Sequence, residues 1–258
     1  MDELKKLRND LDMCDEILID ALRMRCQIIQ EITNYKQKNG LPIYQAEEEE
    51  RKKSKMLAKL DDYEYKKSIM AVYDSVLYRS KRIQSHELFG FNIFLIGFMG
   101  AGKSTIATQL KKMLPVDQME MDETIAREEG MSIPDIFAKH GESYFRDLET
   151  TLLKDLSQCS PMIVSCGGGA VMREENTQIM KQCGRIVLLT ATPETVYERV
   201  KDNTDRPILN NNMNVDYIRS LMEKRRSRYE SVADITVATD GKSAEEICEE
   251  ILSALNIQ

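Results

Sequence analysis

Gly97-Phe98-Met99-Gly100-Ala101-Gly102-Lys103-Ser104-Thr105 places glycines, a lysine and two hydroxyls within one short stretch. The spacing fits G-x-x-x-x-G-K-[ST]. An apolar, strand-like run precedes it and a helical pattern from Ser104 to Leu114 follows, which is the context a phosphate-binding loop requires. Glycines allow successive backbone N–H groups to close around phosphate oxygens, and the helix N-terminus behind them favours an anion. Lys103 then reaches the β- and γ-phosphates, and the Ser104 hydroxyl is a ligand for Mg²⁺. The expected nucleotide-binding residues are Gly97, Gly100, Ala101, Gly102, Lys103, Ser104 and Thr105, with ATP and Mg²⁺ as the bound species. A plain glycine turn between strand and helix is the rival reading.

A second constellation is cationic. Arg25 and Lys36 lie eleven residues apart, which at about 100° per residue leaves them within about 20° of one helix face, so both can enter one pocket. Arg8, seventeen residues before Arg25, faces about 100° away. Ser80 and Gln84 stand one turn apart. Only two histidines occur, His86 and His140, which disfavours a histidine triad or a histidine-rich metal site. Cys14, Cys26, Cys159, Cys166, Cys183 and Cys248 form no C-x-x-C pair, so reduced cysteines are expected rather than a disulfide framework or zinc ribbon.

The elements that must position these groups fall into two halves. Up to about residue 88 the chain holds one proline, Pro42, and one glycine, Gly40. Leu4, Leu7, Leu11, Leu18, Leu22, Ile28, Ile29 and Ile32 follow the helical period. The pattern predicts one helix from Asp2 to Asn39, with Gly40 as its C-cap and Pro42 beyond it. At ~1.5 Å per residue it runs over ~50 Å, more than a small monomer covers, so a partner chain is expected. Helices over Ala46 to Lys59 and Asp62 to Ser85 complete an all-α three-helix module, residues 1–88. From residue 90 to 258 the character changes. Strand-type runs at 92 to 97, 162 to 167, 185 to 190 and 235 to 239 alternate with stretches of helical length, which predicts an α/β domain with a parallel sheet.

A chain of 258 residues accommodates two such domains. Its net charge of -7 speaks against nucleic acid as a partner. No apolar run approaches the ~20 residues of a membrane span, and MDELKKLRND lacks the apolar core of a signal peptide. A cytoplasmic location without membrane partners is expected.

In the second half EMDETI (120 to 125), GESYFRDLE (141 to 149), CGGGAV (166 to 171), DRPIL (205 to 209) and EKRRSRYESVAD (223 to 234) follow the loop in order. Phosphoryl transfer to a hydroxyl needs charge neutralisation, in-line positioning and a carboxylate near the attacking oxygen. With the phosphate loop, these segments resemble shikimate kinase over essentially all of residues 91 to 255. The resemblance implies that Asp122 holds the substrate hydroxyls and takes the proton, and that Arg146 and Arg225 grip its carboxylate. The resemblance selects Arg225 over Arg226 and Arg228 because it stands four residues before Tyr229, as that family's pattern has it. It further implies that Gly167, Gly168 and Gly169 bring backbone close to the substrate, and that Arg206 opens a lid over the transferring group. The same resemblance implies that Arg199 neighbours adenine and that Glu120 stands in the Mg²⁺ shell, where that family usually has Asp. The bland rival for each arginine is a solvated side chain. Another small hydroxy acid or a nucleoside monophosphate is the rival acceptor.

In the first half LRNDLDMCDEILIDALRMR (7 to 25), YKQKNGLPIY (35 to 44) and SKRIQ (80 to 84) resemble the all-helical class of chorismate mutase. That class implies an intertwined homodimer in which Arg8 enters the partner's site beside Arg25 and Lys36, with Gln84 near the ether oxygen and Ser80 near a carboxylate. The rearrangement needs no nucleophile or cofactor, only two carboxylates held in a compact conformer and a donor where charge develops. Aligned from Lys36 onward, the family usually has Asp at 45, Arg at 48 and Glu at 49, whereas this chain has Gln45, Glu48 and Glu49. Glu49 is kept to meet the substrate hydroxyl. Glu48 reverses a charge beside a dianion, and Arg51, one turn on, is the residue able to replace it. The run EEEERKK is alternatively an exposed helix start with acids in its first turn.

The combined expectation is a bifunctional enzyme of aromatic amino acid biosynthesis acting on shikimate and chorismate. These are not consecutive steps, so co-production or regulation rather than channelling would account for the fusion. The alternative makes the helical half a non-catalytic dimerisation or regulatory module on a kinase.

Overall fold

The computed structural model describes residues 2–39, 41, 46–88, 90–114, 116–157, 161–201 and 214–256. The chain divides into two compact units, Met1–Leu88 and Phe89–Gln258.

The first unit is helical: α1 (Asp2–Lys38), α2 (Ala46–Lys59) and α3 (Lys66–Leu88). Both α1 and α2 pack on α3. The contact buries Ile29 and Thr33 of α1 and Leu77, Ser80 and Gln84 of α3. Toward the N-terminus, Leu4, Leu7, Leu11, Ile17 and Leu18 of α1 are exposed. The Leu41 N–H bonds the Lys36 carbonyl at 3.0 Å, closing the last turn of α1. The expected cap Gly40 and the following Pro42 to Gln45 lie outside the described residues. Helix α3 starts four residues later than the sequence pattern predicted. Asp62 adopts φ 64°, and a left-handed residue cannot continue a right-handed helix.

The second unit alternates strand and helix. Its strands are β1 (Asn92–Ile96), β2 (Asp117–Glu120), β3 (Met162–Ser165), β4 (Gly184–Thr190) and β5 (Ile235–Ala238). They form a parallel sheet in the order β2-β3-β1-β4-β5. Helices α4 (Lys103–Met113), α5 (Met121–Glu129), α6 (Ile133–Leu156), α7 (Glu174–Cys183), α8 (Pro193–Val200), α9 (Val215–Val232) and α10 (Ala244–Asn256) connect and cover it. All five residues of β1 are buried. A central parallel strand is covered on both faces, which explains the unbroken apolar run NIFLI in place of alternation. The edge strand β2 accordingly tolerates Asp117, Gln118 and Glu120.

Two backbone features aim the chemistry. From β1 the chain crosses to β2 on one side and later from β3 to β4 on the other, so the loop after β1 sits at the switch point where parallel sheets bind ligands. Helix α6, capped by Ser132 accepting from the Asp135 N–H at 3.3 Å, breaks at Gly141, where φ is 82° and ψ is 170°. The break sets the direction of its second half, which carries Arg146 and Glu149.

Gly97, directly after β1, has φ 142°, and a Cβ there would collide with the Leu189 carbonyl oxygen. Gly97→Ala is therefore expected to destabilise the α/β unit by about 1–3 kcal/mol through the backbone conformation alone. Urea denaturation of the full-length variant, followed through that unit, measures it.

Candidate functional site

The phosphate loop joins β1 to α4. Gly102 caps α4 in the left-handed conformation at φ 97° with no side chain satisfying the first N–H groups, which leaves those donors and the positive end of the helix for an anion. Lys103 Nζ donates to the carbonyls of Gly97 at 3.0 Å and Phe98 at 3.2 Å, folding its ammonium across the loop. Beyond the loop lies a cavity of about 460 Å³ lined by Gly100 to Ile106, Arg199, Thr239, Lys242 and Ile247. Arg199 is fixed there by bonds to the Gly100 carbonyl at 3.1 Å and Thr239 Oγ1 at 3.0 Å. Ser104, Thr105 and Ala101 line the same cavity.

Ser104 Oγ donates to Glu120 Oε2 at 3.0 Å, bringing the two expected metal ligands together. Among the described residues no three His, Cys, Asp or Glu side chains cluster as a metal cage. Two hard oxygen donors suit Mg²⁺, which keeps several waters and takes substrate phosphates as further ligands.

A second centre forms around the loop Gly167 to Gly169. Asp122, in the first turn of α5, and Glu149 of α6 converge on Gly167, where a Cβ would lie 2.6 Å from Asp122 Oδ1 and 2.9 Å from Glu149 Oε1. Glu149 is fully buried. Arg146 donates to Glu149 Oε2 at 2.8 Å and to the exposed Glu142 at 2.9 Å. Its guanidinium lies so close to Gly169 that a Cβ there would overlap it. Burial pushes the Glu149 carboxyl above the usual range, Arg146 pulls it partly back, and the Asp122 charge adds to the rise.

From α9, Tyr229 Oη and Arg225 Nη1 donate to the Gly168 carbonyl at 2.5 and 3.3 Å. The neighbouring arginines go elsewhere. Arg226 is paired with Glu223 at the surface, and Arg228 donates to the Val171 carbonyl at 2.8 Å and pairs with Glu174. Asp122, Arg146, Arg225 and the three glycines thus meet beside the phosphate loop, while Arg206 lies outside the described residues.

Sequence reasoning missed Glu149 and gave Tyr229 no contact of its own. The available signal was spacing: Arg146 and Glu149 stand three apart, and Arg225 and Tyr229 four apart, each pair on one helix face.

In the helical unit a cavity of about 560 Å³ gathers Arg25, Lys36, Ser80 and Gln84 over an apolar floor of Ile29, Ile32 and Leu77. Arg25 Nε donates to Ser80 Oγ at 3.0 Å, and Ser80 Oγ donates to the Val76 carbonyl at 2.7 Å. Arg8 does not reach this cavity from its own chain: it lies about 25 Å along α1 from Arg25 at ~1.5 Å per residue. The Glu49 side chain lies outside the described residues. Glu47, Glu48, Arg51 and Lys52 of α2 and Lys81 of α3 complete the described lining.

The fold and the loop define a P-loop α/β protein in which two carboxylates and two arginines converge on a glycine loop. A family model described as Shikimate kinase matches residues 99–256, and the chain belongs to the shikimate kinase family. A second, Chorismate mutase type II, matches residues 7–85. The shikimate kinase of Dehalococcoides mccartyi (strain ATCC BAA-2100 / JCM 16839 / KCTC 5957 / BAV1) is 43% identical over 164 residues, covering 64% of this chain and 93% of that protein. That of Aquifex aeolicus is 44% identical over 163 residues, covering 63% and 95%. The structure of shikimate kinase from Acinetobacter baumannii in complex with shikimate superposes with a TM-score of 0.59 at 34% identity, covering 63% of this chain and 90% of that one.

Arg146→Ala would leave Glu149 buried without its hydrogen-bonded counter-charge, and is expected to cost about 3–5 kcal/mol at pH 7. Because burial raises the folded pKa of Glu149 above its unfolded value, stability tied to this group is lost as pH rises through the folded pKa. The deficit of the variant should therefore shrink as pH is lowered from 7 towards 5, read from urea midpoints at each pH.

Proposed function

We propose that the α/β half is an ATP-dependent kinase for the 3-hydroxyl of shikimate and that the helical half rearranges chorismate to prephenate. The observation that carries the kinase reading is the convergence of Asp122, Glu149, Arg146 and Arg225 on Gly167 to Gly169 beside the phosphate loop. Arg146 and Arg225 hold the carboxylate of the acid, a task for guanidinium groups. Asp122 accepts the proton of the attacking hydroxyl as its oxygen bonds the γ-phosphorus and the bond to the leaving ADP oxygen breaks. Glu149 Oε1, buried with no hydrogen-bond partner among the described residues, accepts from a substrate hydroxyl. Lys103 and the loop N–H groups neutralise the phosphates, and Arg199 flanks the base. Ser104 and Glu120 would hold Mg²⁺, which supplies charge neutralisation at the phosphate oxygens. Arg206 is assigned to the lid on the resemblance alone.

In the helical half Arg25 and Lys36 grip the carboxylates of chorismate, Ser80 fixes Arg25 and contacts a carboxylate, and Gln84 faces the ether oxygen; Glu49 is assigned to the substrate hydroxyl. The exposed apolar residues of α1 support a homodimer, through which Arg8 reaches the partner's cavity. One observation favours the second reading, a dimerisation or regulatory module: Glu48 places a carboxylate on the cavity wall.

Two assays on the full-length protein test these readings. Coupled ADP release should require shikimate, and Asp122→Asn should lower kcat by about 10²–10⁴-fold; turnover with a nucleoside monophosphate but not with shikimate overturns the kinase reading. Prephenate should form from chorismate and be lost in Arg25→Ala while ADP release is unchanged. No prephenate from the parent protein would leave the helices as a dimerisation or regulatory device.

A further inference from the structure

The cavity of the helical unit draws cations from all three helices: Arg25 and Lys36 from α1, Lys81 from α3, Arg51 and Lys52 from α2. Its described carboxylates, Glu47 and Glu48, are both on α2. These charges leave the described lining net positive, as a site for a small dianion requires.

Glu48 does not face the cavity as a lone negative charge. Arg51 donates to it side-on, from Nε to Oε2 at 2.6 Å and from Nη2 to Oε1 at 2.7 Å. Lys52 Nζ stands 3.5 Å from Oε1. The Arg51 hydrogen bonds hold the Glu48 carboxyl at about 2, so the pair stays ionised at any working pH. A guanidinium carries five donors in a fixed planar fork with two edges suited to a carboxylate. Glu48 takes the side edge. The end edge, Nη1 with the second N–H of Nη2, is not engaged by Glu48, and the bidentate pair fixes the plane in which it lies.

We infer that Glu48 is a positioning residue that holds Arg51 against the α2 wall of the cavity, so that the end edge of the Arg51 guanidinium grips one carboxylate of the substrate. The inference rests on the chorismate mutase reading of this cavity. It moves the α2 cation that the resemblance places at position 48 to Arg51, with Glu48 in its former place as the group that orients it. It also reverses the expected effect of Glu48: a negative charge beside a dianion should oppose binding, yet here its removal releases the side chain that binds.

The test is prephenate formation by the full-length protein, with helix content by circular dichroism as the folding control for the helical unit and ADP release as that for the α/β unit in each variant. Arg51→Ala should raise KM for chorismate about 10-fold or more with kcat changed much less, the pattern of lost binding rather than lost transition-state contact. Glu48→Ala should raise KM about 3- to 10-fold, the same direction. A fall in KM for Glu48→Ala would show that Glu48 only repels substrate and would overturn the inference. So would unchanged KM in Arg51→Ala beside loss of activity in Arg25→Ala, an outcome that leaves the mutase reading intact. If the parent protein forms no prephenate, the mutase reading fails, and the comparison passes to calorimetric binding of chorismate. Weaker binding by Arg51→Ala then supports the anion point; equal binding, or none by the parent protein, overturns it.

Discussion

A carboxylate shut away from water must be answered by a cation, and the α/β unit is arranged around one such pair. Glu149 is fully buried with Arg146 at 2.8 Å. The pair needs the second half of α6 at a set angle, which the break at Gly141 supplies. It also needs backbone without side chains where the guanidinium rests, at Gly169. The remaining oxygen of Glu149 points beside Gly167, toward Asp122. Desolvation of one acid thereby fixes the position of an arginine and leaves a second carboxylate close by, both next to a loop built for phosphate. Held this way, Arg146 has little side-chain freedom left to lose, which is what preorganisation means energetically.

The helical unit meets its charges differently. Its cations sit on the wall of an open cavity over an apolar floor, and its carboxylate at Glu48 is exposed enough that its ion pair contributes little to stability. The value of that pair lies in orientation. The rearrangement proposed for this unit, without nucleophile or proton transfer, would ask the protein mainly for geometry and for charge complementary to a dianion. In both units a carboxylate is hydrogen-bonded to an arginine, one pair by burial and one by a bidentate contact at the surface.

The phosphate loop was legible in the sequence because every part of it lies within nine consecutive residues and its helix follows at once. The central strands were legible because a strand covered on both faces leaves an unbroken apolar run. The meeting of Asp122, Arg146, Gly167 and Arg225 was not readable from spacing, since it depends on strand order and on the break in α6; the resemblance to a family supplied it. Glu149 was overlooked because acidic residues on helices are mostly solvated, and only burial distinguishes this one. The start of α3 was misplaced because no propensity rule forces Asp62 into the left-handed region. Gln45, Glu49 and Arg206 fall where backbone or side chain lies outside the described residues, so their roles rest on the sequence.

On the proposed kinase function, the carboxylate-clamped centre beside the phosphate loop presents a small hydroxy acid to the γ-phosphate. Phosphorus NMR of the full-length protein with ATP, Mg²⁺ and shikimate tests it most directly. A new phosphate monoester resonance growing in step with ADP is expected. ADP accompanied only by inorganic phosphate, or no consumption of ATP, would contradict it.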